Sequence, residues 1–147
     1  MTPQQRAERA AATMWAADAA SRWAGVELGA VDAGSATMAL TVKAHHCNGH
    51  GICHGGIIYT LADTAFAFAS NSRNITTVAH HNSISYLAPG QTGDRLSAVA
   101  TEISLTGRTG IYDVTVTNQE GRVIAEFRGI SRAIRGQIFD EDQGETP

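Results

Sequence analysis

Asp63 is a lone carboxylate in the run Ile57-Ile58-Tyr59-Thr60-Leu61-Ala62-Asp63-Thr64-Ala65-Phe66-Ala67-Phe68-Ala69. The run lacks Gly and Pro, favours helix, and has no clearly polar face, so such a helix must be wrapped on nearly all sides. A carboxylate held there is penalised by burial unless it is hydrogen-bonded, paired or used. Asp63 is therefore a candidate nucleophile or general base, and a structural hydrogen bond is its plainer role.

Just before the helix comes the polar, glycine-rich stretch Asn48-Gly49-His50-Gly51-Ile52-Cys53-His54-Gly55-Gly56. A helix N-terminus presents unpaired N–H groups and the positive end of the dipole. Gly55 and Gly56 would let a carbonyl approach those groups closely enough to stabilise an oxyanion, or would simply permit a tight turn. Asn48 could orient a water or a carbonyl, or cap a turn. His54 could fix the loop or touch an acyl group. Gly55 and Asp63 are eight residues apart, about 12 Å along one helix at a ~1.5 Å rise, whereas groups acting on one atom must converge to ~3 Å. If both are catalytic, Asp63 must come from a second chain, and a two-fold dimer is expected.

His45, His46, Cys47, His50, Cys53 and His54 crowd the same region, with His80 and His81 later. Their spacings fit no familiar zinc pattern, and no metal is assigned to them. Arg73, Arg108, Arg132 and Arg135 could meet phosphates or lie on solvated surface, and Gly107-Arg108-Thr109-Gly110 could cradle a ligand or open a strand. Trp15, Trp23, Tyr86 and Tyr112 read as core or interface.

The elements that must position these groups follow from pattern. Thr2 and Pro3 start a helix that runs to Trp23 before Gly25, with Met14, Trp15, Ala19 and Trp23 as its apolar stripe. Val26 to Val31 and Ala36 to Lys43 flank the turn Asp32-Ala33-Gly34-Ser35 as two strands. After the central helix, strands are expected over Ile75 to Leu87, Arg95 to Leu105, Gly110 to Thr117 and Arg122 to Ile134, the last two joined across Asn118-Gln119-Glu120-Gly121. This order excludes βαβ units. It implies an α+β fold with one curved antiparallel sheet around the central helix, the N-terminal helix or a second chain covering the rest.

The chain of 147 residues, 43% hydrophobic and 17% charged, is long enough for one domain, taken as residues 1–139. The acidic segment 140–147 is expected to be a disordered tail. A net charge of -3 gives no basic footprint for nucleic acid. Arg6, Glu8, Arg9, Asp18 and Arg22 interrupt the Ala-rich start, so no signal peptide or membrane span is expected. The protein reads as soluble and cytoplasmic, with Cys47 and Cys53 as free thiols or metal ligands rather than a structural disulfide.

Asn48-Gly49-His50, His54-Gly55-Gly56 and Leu61-Ala62-Asp63-Thr64-Ala65-Phe66-Ala67 resemble the PaaI-type phenylacetyl-CoA (hydroxyphenylacetyl-CoA) thioesterases of the hotdog fold. The likeness extends through Leu87-Ala88-Pro89-Gly90, Gly110-Ile111-Tyr112-Asp113-Val114 and Phe127-Arg128-Gly129. His45-His46 and His80-His81-Asn82 are not part of the family pattern. The resemblance implies a helix wrapped by an antiparallel sheet, dimers that pair into tetramers, and active sites shared across the dimer. It implies that the Gly55 N–H polarises the thioester carbonyl while the partner's Asp63 is base or nucleophile. Asn48 then positions water or acyl group and Thr64 holds the attacking water. No cofactor is implied, since CoA is part of the substrate, and the setting implied is aromatic catabolism. Gly56, Arg73, Arg108, Thr109, Gly110 and Arg132 are the candidates for contacts to the CoA portion. The alternatives are a hotdog dehydratase or hydratase using His54, and an acyl-CoA-binding protein without turnover.

Overall fold

In the computed structural model, which describes residues 1–141, the chain opens with a capping box. The Thr2 hydroxyl accepts from the Gln5 N–H at 3.1 Å, and the Gln5 side chain accepts from the Thr2 N–H at 2.8 Å. Helix α1 spans Pro3–Ala17 and buries Ala7, Ala10 and Ala11, small side chains at helical spacing that let it lie close to its neighbours. The helix expected to continue to Trp23 breaks at Asp18. That carboxylate accepts from the Ser21 N–H at 3.0 Å and the Ser21 hydroxyl at 2.7 Å, capping a separate helix, α2, over Ala19–Ala24. Gly25, with φ 90, ends it. The break shifts the helical face, so Trp15 packs edge-on against Phe68 while Trp23, expected in the core or an interface, is 84% exposed.

Six strands follow: β1 Glu27–Asp32, β2 Ser35–Thr41, β3 Thr77–Tyr86, β4 Arg95–Thr106, β5 Thr109–Thr117 and β6 Val123–Ala133. All pairings are antiparallel, in the spatial order β1-β2-β4-β5-β6-β3. Between β2 and β3 the central helix α3 runs Gly55–Ser70, two residues earlier than the apolar run begins because His54 caps it. At its far end the Asn71 side chain donates to the Ala67 carbonyl at 2.9 Å and accepts from the Thr77 N–H at 2.8 Å, which passes the chain into β3. The sheet curls around α3, and Met38, Leu40, Leu96, Ala98, Val114, Val116, Ile124 and Phe127 meet Ile58, Leu61, Ala62, Ala65 and Phe66 in one core. This α+β wrapped-helix arrangement is the one the sequence implies.

One side of α3 is not fully covered. Gly56 is exposed and Tyr59, Thr60, Asp63, Ala67 and Ser70 keep partial exposure at helical spacing, while α2 closes another side through Ser21 and Thr64, whose hydroxyls lie 3.1 Å apart. β3 is an edge strand, exposed along most of its length. At the C-terminus, Glu141 takes three hydrogen bonds from Arg6 at 2.8–3.0 Å, and Asn74 ties down the backbone of Ile138 and Phe139. Glu141, expected to belong to a disordered tail, is therefore anchored to α1, while residues 142–147 of that tail lie outside the described residues.

Packing is close where β6 crosses α3. A Cβ on Gly129 would stand 2.7 Å from three carbons of the buried Phe66 ring, whereas one on Gly49 would meet nothing within 4 Å. Gly129→Ala is expected to destabilise the fold by about 1–3 kcal/mol, and Gly49→Ala to stay within about 0.5 kcal/mol of the wild type. Urea midpoints measured side by side check both.

Candidate active site

The loop before α3 is held from three directions. His46 is buried, its Nδ1 accepting from the Lys43 N–H at 2.9 Å and its Nε2 bonding the Ala24 carbonyl at 2.7 Å. Cys47 and Cys53 face each other across an isolated antiparallel bridge closed by Asn48 N–H to Ile52 carbonyl (2.9 Å) and His54 N–H to His46 carbonyl (2.8 Å). The Cys53 N–H reaches the Gly90 carbonyl at 2.8 Å, and burial pushes its thiol pKa up to about 11. Both cysteines are free, and among the described residues no three His, Cys, Asp or Glu side chains are grouped to hold a metal ion. The Asn48 Oδ1 accepts from the His50 N–H at 2.9 Å. Its oxygen is thus the turn cap, and its amide nitrogen has no hydrogen-bond partner among the described residues.

At the start of α3, the His54 Nδ1 accepts from the Gly56 N–H at 2.8 Å, which puts the ring proton on Nε2. The His54 carbonyl takes the Ile57 and Ile58 N–H groups at 2.9 and 3.2 Å. That leaves the Gly55 N–H, which makes no hydrogen bond among the described residues, as the free donor at the positive end of the helix dipole. Gly56 cannot donate to a ligand while His54 holds it. The Tyr86 hydroxyl donates to the Gly55 carbonyl at 2.9 Å, and its ring lies 3.2 Å from where a Cβ on Gly55 would be. A Cβ at 55 would press on that ring, which would have to give by a few tenths of an ångström. Beside it opens a pocket of about 410 Å³ walled by Ile52, Ile58, Leu87, Ala88 and Pro89, with Asn48 at its polar side. An apolar pocket with a few converging polar groups is the usual form of a small-molecule site.

Asp63 lies farther along the incompletely covered stripe, partly buried. The Asn82 Nδ2 donates to its Oδ1 at 3.2 Å and to the Tyr59 hydroxyl at 2.9 Å. Burial raises the Asp63 carboxyl above the usual carboxylate range, and the Asn82 bond pulls it part of the way back. Thr64, expected to hold a water beside Asp63, lies ~100° around the helix. Its buried hydroxyl donates to the Thr60 carbonyl at 2.7 Å and faces Ser21.

The residues proposed to contact CoA are divided. Arg73 is paired with Glu102, which also accepts from the Tyr112 hydroxyl at 3.0 Å. Gly110 is packed so closely that a Cβ would come within 2.7 Å of Ser131 and Tyr112. Arg108 and Arg132 are exposed and have no acidic partner among the described residues, and Thr109 pairs across the sheet with Arg132. These groups sit toward the C-terminal end of α3, where Ser70 and Arg73 share a groove with Gly107 and Arg108. A single chain does not bring them to Gly55.

Tyr59, Asn82 and Tyr86 complete the site without having been singled out for chemistry. Tyr59 was recoverable, because it lies one turn before Asp63 on the same face. Asn82 and Tyr86 reach α3 only through the β3–β6 pairing, which spacing within either segment does not reveal.

Comparison with known proteins gives the family. The thioesterase superfamily matches residues 50–125. The acyl-coenzyme A thioesterase PaaI of Escherichia coli is 41% identical over 128 residues, covering 87% of this chain and 91% of that one. The solved structure of the E. coli PaaI protein from the phenylacetic acid degradation operon superposes with TM-score 0.91 at 39% identity, covering 92% of this chain and 99% of the other. A mutant of the phenylacetic acid degradation protein PaaI from Thermus thermophilus superposes with TM-score 0.75 at 37% identity, covering 78% and 97%. No helix among the described residues is long and apolar enough to cross a membrane. The chain belongs to the thioesterase superfamily, with the hotdog fold of its PaaI-type relatives, and is a thioester hydrolase.

Proposed function

We propose that the chain hydrolyses an acyl-CoA thioester of the arylacetyl class to the free acid and CoA, and that two chains build each site. The observation that carries this is the pair of groups on α3: an unengaged Gly55 N–H beside an apolar pocket, and a partly buried carboxylate on the stripe that the chain itself leaves uncovered. The acyl-CoA class is supported by the name of the E. coli relative. The arylacetyl preference is supported by walls of Ile52, Ile58, Leu87, Ala88 and Pro89, with the Tyr86 ring beside them, which offer an acyl ring a mostly apolar surface.

With the thioester carbonyl on the Gly55 N–H, attack at carbon places negative charge on the oxygen where the helix dipole and that donor stabilise it. The Asn48 amide nitrogen is the second donor within reach of the pocket. Asp63 of the partner subunit either takes the proton of the attacking water or attacks directly to form an acyl anhydride that water then opens. In both cases the carbonyl re-forms as the C–S bond breaks, and the thiolate leaves as CoA. The dimer is supported by the exposed edge of β3 and the Asp63 stripe beside it, since an uncovered strand edge is a surface that pairs. Val99, Ile103 and Leu105, exposed along β4, are the apolar surface through which dimers pair into tetramers. Arg108 and Arg132 are the cations left to meet CoA phosphates.

Release of CoA from phenylacetyl-CoA and acetyl-CoA tests the reading. The wild type is expected to turn over the first faster, and Asp63→Asn to lose at least ~100-fold in kcat. An Asp63→Asn chain with wild-type rate overturns it. Because the reaction needs the ionised carboxylate and burial raises its pKa, the acid limb of kcat/KM is expected above the usual carboxylate range. The same shift has a stability consequence. A carboxyl whose folded pKa is raised contributes stability below its unfolded pKa and loses it as pH rises through the folded value. Asp63→Asn is therefore expected to melt higher than wild type at pH 7, the gap closing at acid pH, as thermal scans at two pH values would show.

A further inference from the structure

Asn82 is outside the family-like motifs, yet its amide lies between two polar groups of α3. Nδ2 spends both hydrogens, one on the Tyr59 hydroxyl and one on Asp63, while Oδ1 is buried with no partner among the described residues. A buried acceptor without a donor is costly and calls for a reason. Turning the amide over would let Oδ1 accept from the Tyr59 hydroxyl, but would set it against the Asp63 oxygen, acceptor against acceptor. An ionised Asp63 therefore enforces the orientation that orphans Oδ1. Tyr59 accepts the other Nδ2 hydrogen, and its own ring is packed edge-on against Phe127 at 5.6 Å. Across the sheet, Asn82 pairs with Gly129, which packs against the buried Phe66 ring of α3, so β3 is held beside α3 at this level.

We infer that Asn82, seated on Tyr59, is the positioning residue that holds the Asp63 carboxylate in one orientation for the chemical step of thioester hydrolysis. The inference rests on Asp63 being base or nucleophile, as proposed above. Nearby titratable groups are few: Tyr59 from α3, and from β3 the exposed His80 and His81. Burial and the Asn82 bond are the causes of the displaced Asp63 proton affinity. Removing the donor must move that affinity upward.

The test is Asn82→Leu, which removes the donor and the orphaned acceptor together and keeps the side-chain size, measured beside Asp63→Asn with phenylacetyl-CoA. The expected result is a loss in kcat of about 10- to 100-fold, KM within about 2-fold, an acid limb moved to higher pH, and a melting temperature no lower than wild type. Tyr59→Phe is expected to move kcat and the acid limb the same way by less. Wild-type kcat with an unmoved acid limb in Asn82→Leu, while Asp63→Asn is inactive, overturns the inference and leaves the thioesterase reading standing. A kcat loss that accompanies a fall in melting temperature, with the acid limb unmoved, marks a merely structural role and also overturns it. Full activity in Asp63→Asn removes the reading on which it rests.

Discussion

The site depends on α3 being one unbroken helix. Gly55 stands at its first position and Asp63 two turns on, so the rise of a helix holds them about 12 Å apart whatever the rest of the chain does. A donor and a base on one rigid rod cannot meet at one carbonyl. The fold leaves the Asp63 stripe of α3 incompletely covered, beside the open edge of β3. On the proposed roles, rigidity of the helix and the need for a second chain are the same constraint seen from two sides.

Each end of the constellation is held by hydrogen bonds that fix which groups stay free. His54 spends its Nδ1 on Gly56, and that leaves Gly55 as the unengaged donor. Asn48 spends its oxygen on the turn and keeps its nitrogen. Tyr86 walls the glycine and bonds its carbonyl. His46, buried between Ala24 and Lys43, anchors the loop behind them. Two of the crowded histidines, His46 and His54, are in this sense backbone clamps. Asp63 is the opposite case, since burial destabilises its ionised form and the fold retains it, a local conflict of the kind that marks a functional group.

Most of the fold was legible because period and punctuation agree. Alternation marks Met38, Leu40 and Val42 as one inward face, and the lack of Gly, Pro and a polar face marks α3 as wrapped. The first helix was misjudged at one residue. Asp18 reads equally well as an exposed helical side chain and as a cap, and only its bonds to Ser21 decide. That decision moved Trp23 from the expected stripe to the surface. In the site, Gly55 and Asp63 were visible because spacing along one helix suffices to find them. The commitments of Thr64 to Thr60 and of Arg73 to Glu102, and the reach of Asn82 to Asp63, belong to contacts between segments far apart in sequence. No local pattern carries that information.

The central claim is that each site takes its donor from one chain and its carboxylate from another. Gly55→Pro deletes the N–H and suits a first helical position, and His54, at φ -60 and ψ 135, already has the backbone that precedes proline. The direct measurement is CoA release by Gly55→Pro and Asp63→Asn chains, each inactive alone, after unfolding and refolding together in equal amounts. Shared sites predict recovery to about one quarter of wild-type activity, since half of the dimers are mixed and each carries one intact site. Activity that stays at the mean of the two parents would contradict the account, because it would place donor and carboxylate in the same chain.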